Sequence, residues 1–130
     1  MEDFVYFAHS LMSYDGDYER FCLSLIESKF PDVDLFNPNG KVAQTTDEDA
    51  MKHCLAAIGD DACKALVFST SSGMVGKGVM REIVVATARQ IPIYAIIGNK
   101  IFLTTGVTFT PIDFSNRVYA VANISCACEL

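Results

Sequence analysis

The chain has 130 residues, 51% of them hydrophobic and 11% aromatic, which is the size and apolar content of one core-forming domain, so residues 1–130 are read as a single domain. Ten Lys and Arg against sixteen Asp and Glu give a formal net charge of −6, and no basic run or aromatic-interleaved basic stripe occurs, which argues against a nucleic-acid polymer as partner. The longest apolar runs fall well short of the ~20 residues that span a bilayer, Met1-Glu-Asp is acidic where a signal peptide is basic, and the five cysteines lie scattered among apolar neighbours, so a cytoplasmic protein with reduced thiols and no membrane partner is expected.

Phe4-Val-Tyr-Phe-Ala8 is a β-prone run whose near-continuous apolarity suits a strand covered on both faces. From Asp15 onward Tyr18, Phe21, Cys22, Leu25 and Ile26 recur at the spacing of one helical face, and that helix stops before Pro31. Val33 to Phe36 is a second short strand, closed by the turn formers Asn37-Pro-Asn-Gly40. Thr45 with Glu48 is a capping-box pattern opening a second helix, whose stripe is Met51, Cys54, Leu55 and Ile58 and whose end is Gly59-Asp-Asp. Lys64 to Ser69 is a third strand, followed by the small-residue loop Thr70 to Gly78 and a third helix from about Val79 to Gln90. Ile93 to Ile97 gives a fourth strand. Beyond Asn99 the helical period disappears: Ile101 to Thr110 alternates around Gly106 like a hairpin or two short extended segments, and Tyr119 to Ile124 is a last strand. Strands alternating with helices in this rhythm predict a flavodoxin-like (Rossmann-like) three-layer α/β sandwich around a central, mostly parallel five-stranded sheet.

In an open parallel sheet, ligands bind beyond the carboxyl ends of the strands, so the loops there carry the candidate chemistry. Ser69 to Gly78 holds four Ser/Thr residues and three glycines directly before a helix, which makes Ser71, Ser72, Gly73, Gly76 and Gly78 a candidate cradle for a phosphate or a hydroxyl. It is not a Walker A loop, which needs Gly at Ser71 and Ser or Thr at Gly78, nor a dinucleotide fingerprint, since Arg81 stands where the third Gly belongs. Lys77 either offsets a phosphate charge or is simply solvated. Glu82, among Val79, Met80, Ile83 and Val84, is reactive if it projects into the cleft and structural if it pairs with Arg81. The first loop adds His9, Ser10, Ser13, Tyr14 and Asp15, each of which also has a role as cap or satisfied polar residue, and Tyr6 reaches the same cleft if its side chain points that way. His9 and His53 lie on different elements and Cys126-Ala-Cys128 lacks zinc spacing, so neither a metal nor another cofactor is expected.

Tyr6-Phe-Ala-His-Ser10 at the end of the first strand, and Gly76-Lys-Gly-Val-Met-Arg-Glu82-Ile-Val-Val-Ala86 leading to Ile91-Pro-Ile-Tyr94, together resemble the nucleoside 2-deoxyribosyltransferase family and its deoxynucleotide N-hydrolase relatives. The resemblance spans most of residues 4–97. It departs from the family pattern at His9 and Val84, where that pattern has Gly, and in a loop without the usual Asp before Glu82. It implies cleavage or transfer of the N-glycosidic bond of a (deoxy)nucleoside or nucleoside monophosphate, with Glu82 as nucleophile and Tyr6 orienting it or contacting the sugar. Ser10 and the backbone of Gly76 and Gly78 would hold a sugar hydroxyl or phosphate, and Asp49, in preference to Asp47, would be the second acid that handles the base. A homodimer or larger homo-oligomer is implied as well, consistent with the apolar-rich tail from Phe102 to Ile124. The missing loop Asp and the added Arg81 favour a non-catalytic nucleotide-binding or sensor domain as the alternative. A TIR-like NAD glycohydrolase is a third reading, since such domains also combine a flavodoxin-like sheet with a Glu.

Overall fold

The structure is a computed structural model that describes residues 2–41, 47–114 and 117–130. Among these residues, strands β1 (Phe4–Ala8), β2 (Asp34–Phe36), β3 (Cys63–Phe68), β4 (Met74–Gly76), β5 (Ile93–Ile97), β6 (Lys100–Phe114) and β7 (Arg117–Glu129) form one sheet in the order β2-β1-β3-β5-β6-β7-β4. The helices are α1 (Asp17–Lys29), a single turn α2 (Pro38–Lys41) kinked at Asn39 and Gly40, α3 (Asp47–Gly59) and α4 (Lys77–Ala88), with a 3-10 turn at Leu11–Ser13. No helix among the described residues is long and apolar enough to cross a membrane.

Strands β2, β1, β3 and β5 run parallel. Their side chains alternate between two cores, as the two-residue period of a strand requires. Phe4, Tyr6 and Ala8 of β1 join Leu66 and Phe68 of β3 and Ala95 of β5 under α3 and α4. Val5 and Phe7 join Ala65, Val67 and Ile96 against Cys22 and Ile26 of α1 on the opposite face. Burial on both faces explains why these strands read as continuous apolar runs rather than as alternating ones.

The rest of the sheet is antiparallel and overturns the expected flavodoxin-like, mostly parallel five-stranded arrangement: the sheet has seven strands and is mixed. Two turns account for the difference. Gly98, with φ of 63°, and Asn99 close a two-residue turn that lays Lys100–Leu103 antiparallel along β5, where a parallel fold would have needed a helical crossover. From there Val, Thr and Phe residues sustain a single 15-residue strand whose partner β7 returns over its length, with register shifts around Thr104–Gly106. The second turn lies inside the supposed glycine loop. Ser72 and Gly73 take φ of 53° and 78°, and Ser71 and Met74 exchange backbone hydrogen bonds of 2.9 and 3.0 Å. Positive φ at both central residues is the condition for a tight hairpin turn. Met74–Gly76 therefore becomes β4, paired with Tyr119–Val121, and α4 starts directly after it at Lys77.

Thr45, the first residue of the expected capping box, lies outside the described residues. The far end of α3 is held from outside: the Arg89 guanidinium donates to the carbonyl oxygens of Ile58, Asp60 and Cys63 at 2.7, 2.8 and 3.1 Å. All three contacts are made by one guanidinium nitrogen, Nη1, and the Asp60 carbonyl also accepts from the Cys63 N–H at 3.0 Å. Arg89→Ala is expected to lower stability by about 2–3 kcal/mol in urea unfolding.

Candidate functional site

Glu82 falls on the inward stripe of α4. Val79, Glu82, Ile83 and Ala86 are its buried residues, so helical geometry turns the carboxyl into the fold rather than toward Arg81 and solvent. Only 4% of Glu82 is exposed. Its Oε2 accepts a hydrogen bond from the hydroxyl of Tyr6, a side chain that is itself fully buried on the same face of β1 as Phe4 and Ala8. The Tyr6 ring is held by stacking on Phe36 at 5.3 Å, and its hydroxyl lies near the thiol of Cys54 on α3. Arg81 is exposed, and among the described residues no ion pair joins it to Glu82.

Burial pushes the Glu82 carboxyl up to about 8, against the opposing effect of the Tyr6 hydrogen bond, which favours the charged form. The Tyr6 phenol is pushed far upward, by burial first and by the neighbouring Glu82 second, so it stays a neutral donor throughout the accessible pH range. The pair is thus a buried carboxyl that is mostly protonated at neutral pH, held by a phenol that does not ionise.

Glu82 sits in the wall of a cleft of about 850 Å³ between the end of β1, α3 and the start of α4, with Tyr6 buried behind it. The start of α4 supplies Gly76, Lys77 and Gly78, and α3 supplies Glu48, Ala50, Met51 and Cys54. Leu11 and Met12 form an apolar lip, and Met12 is 80% exposed. Gly76 caps α4 with no side-chain hydrogen bond, so the first turn, whose Lys77, Gly78 and Val79 line the cleft, has N–H groups without a side-chain cap. A Cβ on Gly78 would stand 2.8 Å from the methyl of Met51, so this glycine makes room for the α3 wall. A Cβ on Gly76 would meet nothing within 4 Å.

His9 and Ser10 also line the cleft, but the fold uses them heavily. His9 is buried, with Nε2 2.7 Å from Glu19 Oε2, Nδ1 3.2 Å from the carbonyl oxygen of Phe7, and its ring stacked on Phe7 at 4.0 Å. Burial holds the imidazole below its ordinary value even though Glu19 pulls the other way. Burial of Glu19 acts to raise its carboxyl, yet hydrogen bonds from His9, from Asn39 and from the backbone N–H of Asp15 bring it below the usual value. Glu19 thereby joins β1, the first loop, α1 and the α2 turn through a single carboxylate. Ser10 Oγ accepts from the Met12 N–H at 3.1 Å and caps the 3-10 turn. Glu19→Ala leaves His9 and Asn39 without their acceptor and is expected to cost about 2–4 kcal/mol in thermal or urea unfolding, against which Glu19→Gln retains part of the network.

The remaining expected residues are distributed differently. Ser71 is exposed in the β3–β4 turn, and Ser72 and Gly73 line a separate cavity of about 470 Å³ with Tyr18 and Ile97, away from Glu82. Asp49 is exposed on α3 and does not line the Glu82 cleft, whereas its neighbour Glu48 does. The side chain of Asp47 lies outside the described residues. Tyr14, one of the first-loop candidates, lines the cleft, as do Met51, Cys54 and Tyr119, which were not singled out as site residues. Cys54 and Met51 carried a signal, since both belong to the apolar stripe of α3, but that stripe reads as packing until its partner face is known. Comparisons with protein-family models, with curated proteins and with solved structures find no match for this chain.

Proposed function

We propose that the protein is a cytoplasmic enzyme that cleaves or exchanges the N-glycosidic bond of a (deoxy)nucleoside or nucleoside monophosphate. The reading rests on the sequence resemblance at Tyr6, Ser10, Glu82 and Ala86, and the observation that supports it best is the buried Glu82 carboxyl held by the Tyr6 phenol in the cleft wall. In this reading a Glu82 oxygen bonds to C1′ as the C1′–N bond breaks, the departing base takes a proton from an acid, and a glycosyl ester remains for water or a second base to resolve. Glu48 is the cleft-lining acid on α3 and takes the proton-donating role that Asp49 held in the sequence reading. Lys77 and the first turn of α4 suit a phosphate or a sugar hydroxyl.

A binding-only domain is the second reading, and one observation favours it: a carboxyl raised to about 8 is mostly protonated at neutral pH and so a poor nucleophile until deprotonated. The decisive experiment incubates the protein with nucleosides, deoxynucleosides, their monophosphates and NAD, with and without a second free base, and chromatographs for released or exchanged base. Base release from a (deoxy)nucleoside or its monophosphate supports the enzyme, and binding without release supports the sensor. Release from NAD alone replaces the substrate class with that of a glycohydrolase.

The proposal extends to a homo-oligomer. The apolar residues of the tail serve the fold, because Val107, Phe109, Ala122 and Ile124 pack against the α3–α4 core. What favours association is the strand edge: beyond Thr104, β6 is paired only with β7 among the described residues. Sedimentation velocity at micromolar concentration distinguishes monomer from dimer.

A further inference from the structure

The first loop holds a second phenol, Tyr14, with no role in the fold's hydrogen bonding beyond its backbone. Its ring packs against His9 at 4.8 Å, and His9 is itself stacked on Phe7 and bound at both nitrogens. Its N–H bonds the Leu11 carbonyl at 3.1 Å, and the next residue, Asp15, is in the left-handed region with φ of 62°, its N–H held by Glu19 Oε1 at 3.1 Å. An irregular segment fastened at this many points sets the direction of the side chain it carries. That side chain lines the Glu82 cleft, and its hydroxyl has no hydrogen-bond partner among the described residues. No buried side-chain polar atom there is left without a partner, so the hydroxyl is open to the cleft and not sealed in the core.

The two phenols are therefore divided in use. Tyr6 donates its one hydroxyl hydrogen to Glu82, whereas Tyr14 lines the cleft with an unused donor. We propose that Tyr14 is a substrate-contacting residue, donating its hydroxyl hydrogen bond to an oxygen of the sugar bound against Glu82. This rests on the N-glycosidic reading of the same cleft. Burial, followed by the proximity of Cys54, Glu82 and Glu19, raises the Tyr14 phenol, which keeps it a neutral donor and unsuits it to act as a general acid. A donor to a sugar oxygen acts on orientation at C1′, so its loss lowers kcat more than it raises KM.

The test compares wild type, Tyr14→Phe and Glu82→Gln in base release from 2′-deoxynucleosides and their 5′-monophosphates, with binding of the same probes to the Glu82→Gln and Glu82→Gln/Tyr14→Phe proteins measured by calorimetry. Tyr14→Phe keeps the ring against His9, so thermal unfolding is expected to be unchanged. The expected result is about a tenfold or larger loss of kcat with KM within about threefold of wild type. Release by Tyr14→Phe equal to wild type overturns the assignment while leaving the glycosidic reading standing. No release by wild type, combined with binding that Tyr14→Phe weakens, overturns the glycosidic reading and keeps Tyr14 as a ligand contact. Where the wild type releases no base, binding indifferent to Tyr14→Phe, or no binding at all, overturns the assignment.

Discussion

Replacing Glu82 with Gln is expected to abolish base release, by about 10³-fold or more, while making the folded protein more stable at neutral and alkaline pH. The first half follows from chemistry, since an amide cannot form the glycosyl ester. The second follows from burial. The folded carboxyl titrates at about 8 against 4.5 for an unhindered one, so the native state holds a proton that the unfolded state has released between those two values. Stability therefore falls as pH rises through that window, by about 1.4 kcal/mol per pH unit and on the order of 3–5 kcal/mol in all. Glutamine carries no charge to bury, and its Oε1 still accepts from Tyr6. Urea unfolding from pH 4 to pH 9 is expected to show the variant equal to wild type or slightly weaker at pH 4 and stronger by about 2–4 kcal/mol at pH 9. Activity of the wild type runs the opposite way. A nucleophile must be ionised, so kcat/KM is expected to climb with pH and level off above about 8. A pH-independent rate between 6 and 9, or parallel stability curves for the two proteins, would count against a buried reactive carboxyl.

Tyr6→Phe is expected to be the second most damaging change to activity, about 100-fold, and the most informative for pH dependence. The ring and its stacking on Phe36 are kept, and only the hydroxyl that meets Glu82 and Cys54 is lost. That hydroxyl is what opposes burial at Glu82, so without it the carboxyl rises above about 8 and the activity midpoint moves to higher pH. The stability cost is expected to be small below pH 7, where the carboxyl is protonated, and to grow by about 1–3 kcal/mol above pH 8, where a buried carboxylate has lost its donor. An unchanged midpoint together with near-normal activity would reduce Tyr6 to a packing residue and weaken the case for Glu82 as nucleophile.

The parallel half of the sheet was legible because burial on two faces leaves a strong trace: Phe4 to Ala8, Lys64 to Ser69 and Ile93 to Ile97 each lie within a residue of the observed strands. The antiparallel half was not. A two-residue turn at Gly98-Asn99 and a break followed by a new strand have nearly the same composition, and only pairing tells them apart. The Ser69 to Gly78 segment misled for a related reason. Its glycines and serines fit an anion cradle, whereas Ser72 and Gly73 serve a hairpin turn, and of that segment only Gly76 and the residues after it reach the Glu82 cleft.

Within the site, Glu82 could be named from sequence because it is a polar group among apolar neighbours directly after the glycine loop, whereas Tyr6 depended on where its side chain points and on the family resemblance. Glu48 and Asp49 could not be told apart, since adjacent helix residues differ by about 100° in direction and only the position of α4 shows which one meets the cleft. His9 could not be recognised as bound at both nitrogens, because its partners are a carboxylate ten residues away and a backbone oxygen. By itself, then, the sequence of this protein determined the apolar stripes, the acidic charge and Glu82 as a polar residue among apolar neighbours, all of which are local properties of periodicity and composition. The tertiary structure alone decided strand direction, which face of α3 lines the cleft, and that the Glu82 carboxyl meets a phenol rather than Arg81, because each of these depends on segments far apart in the chain.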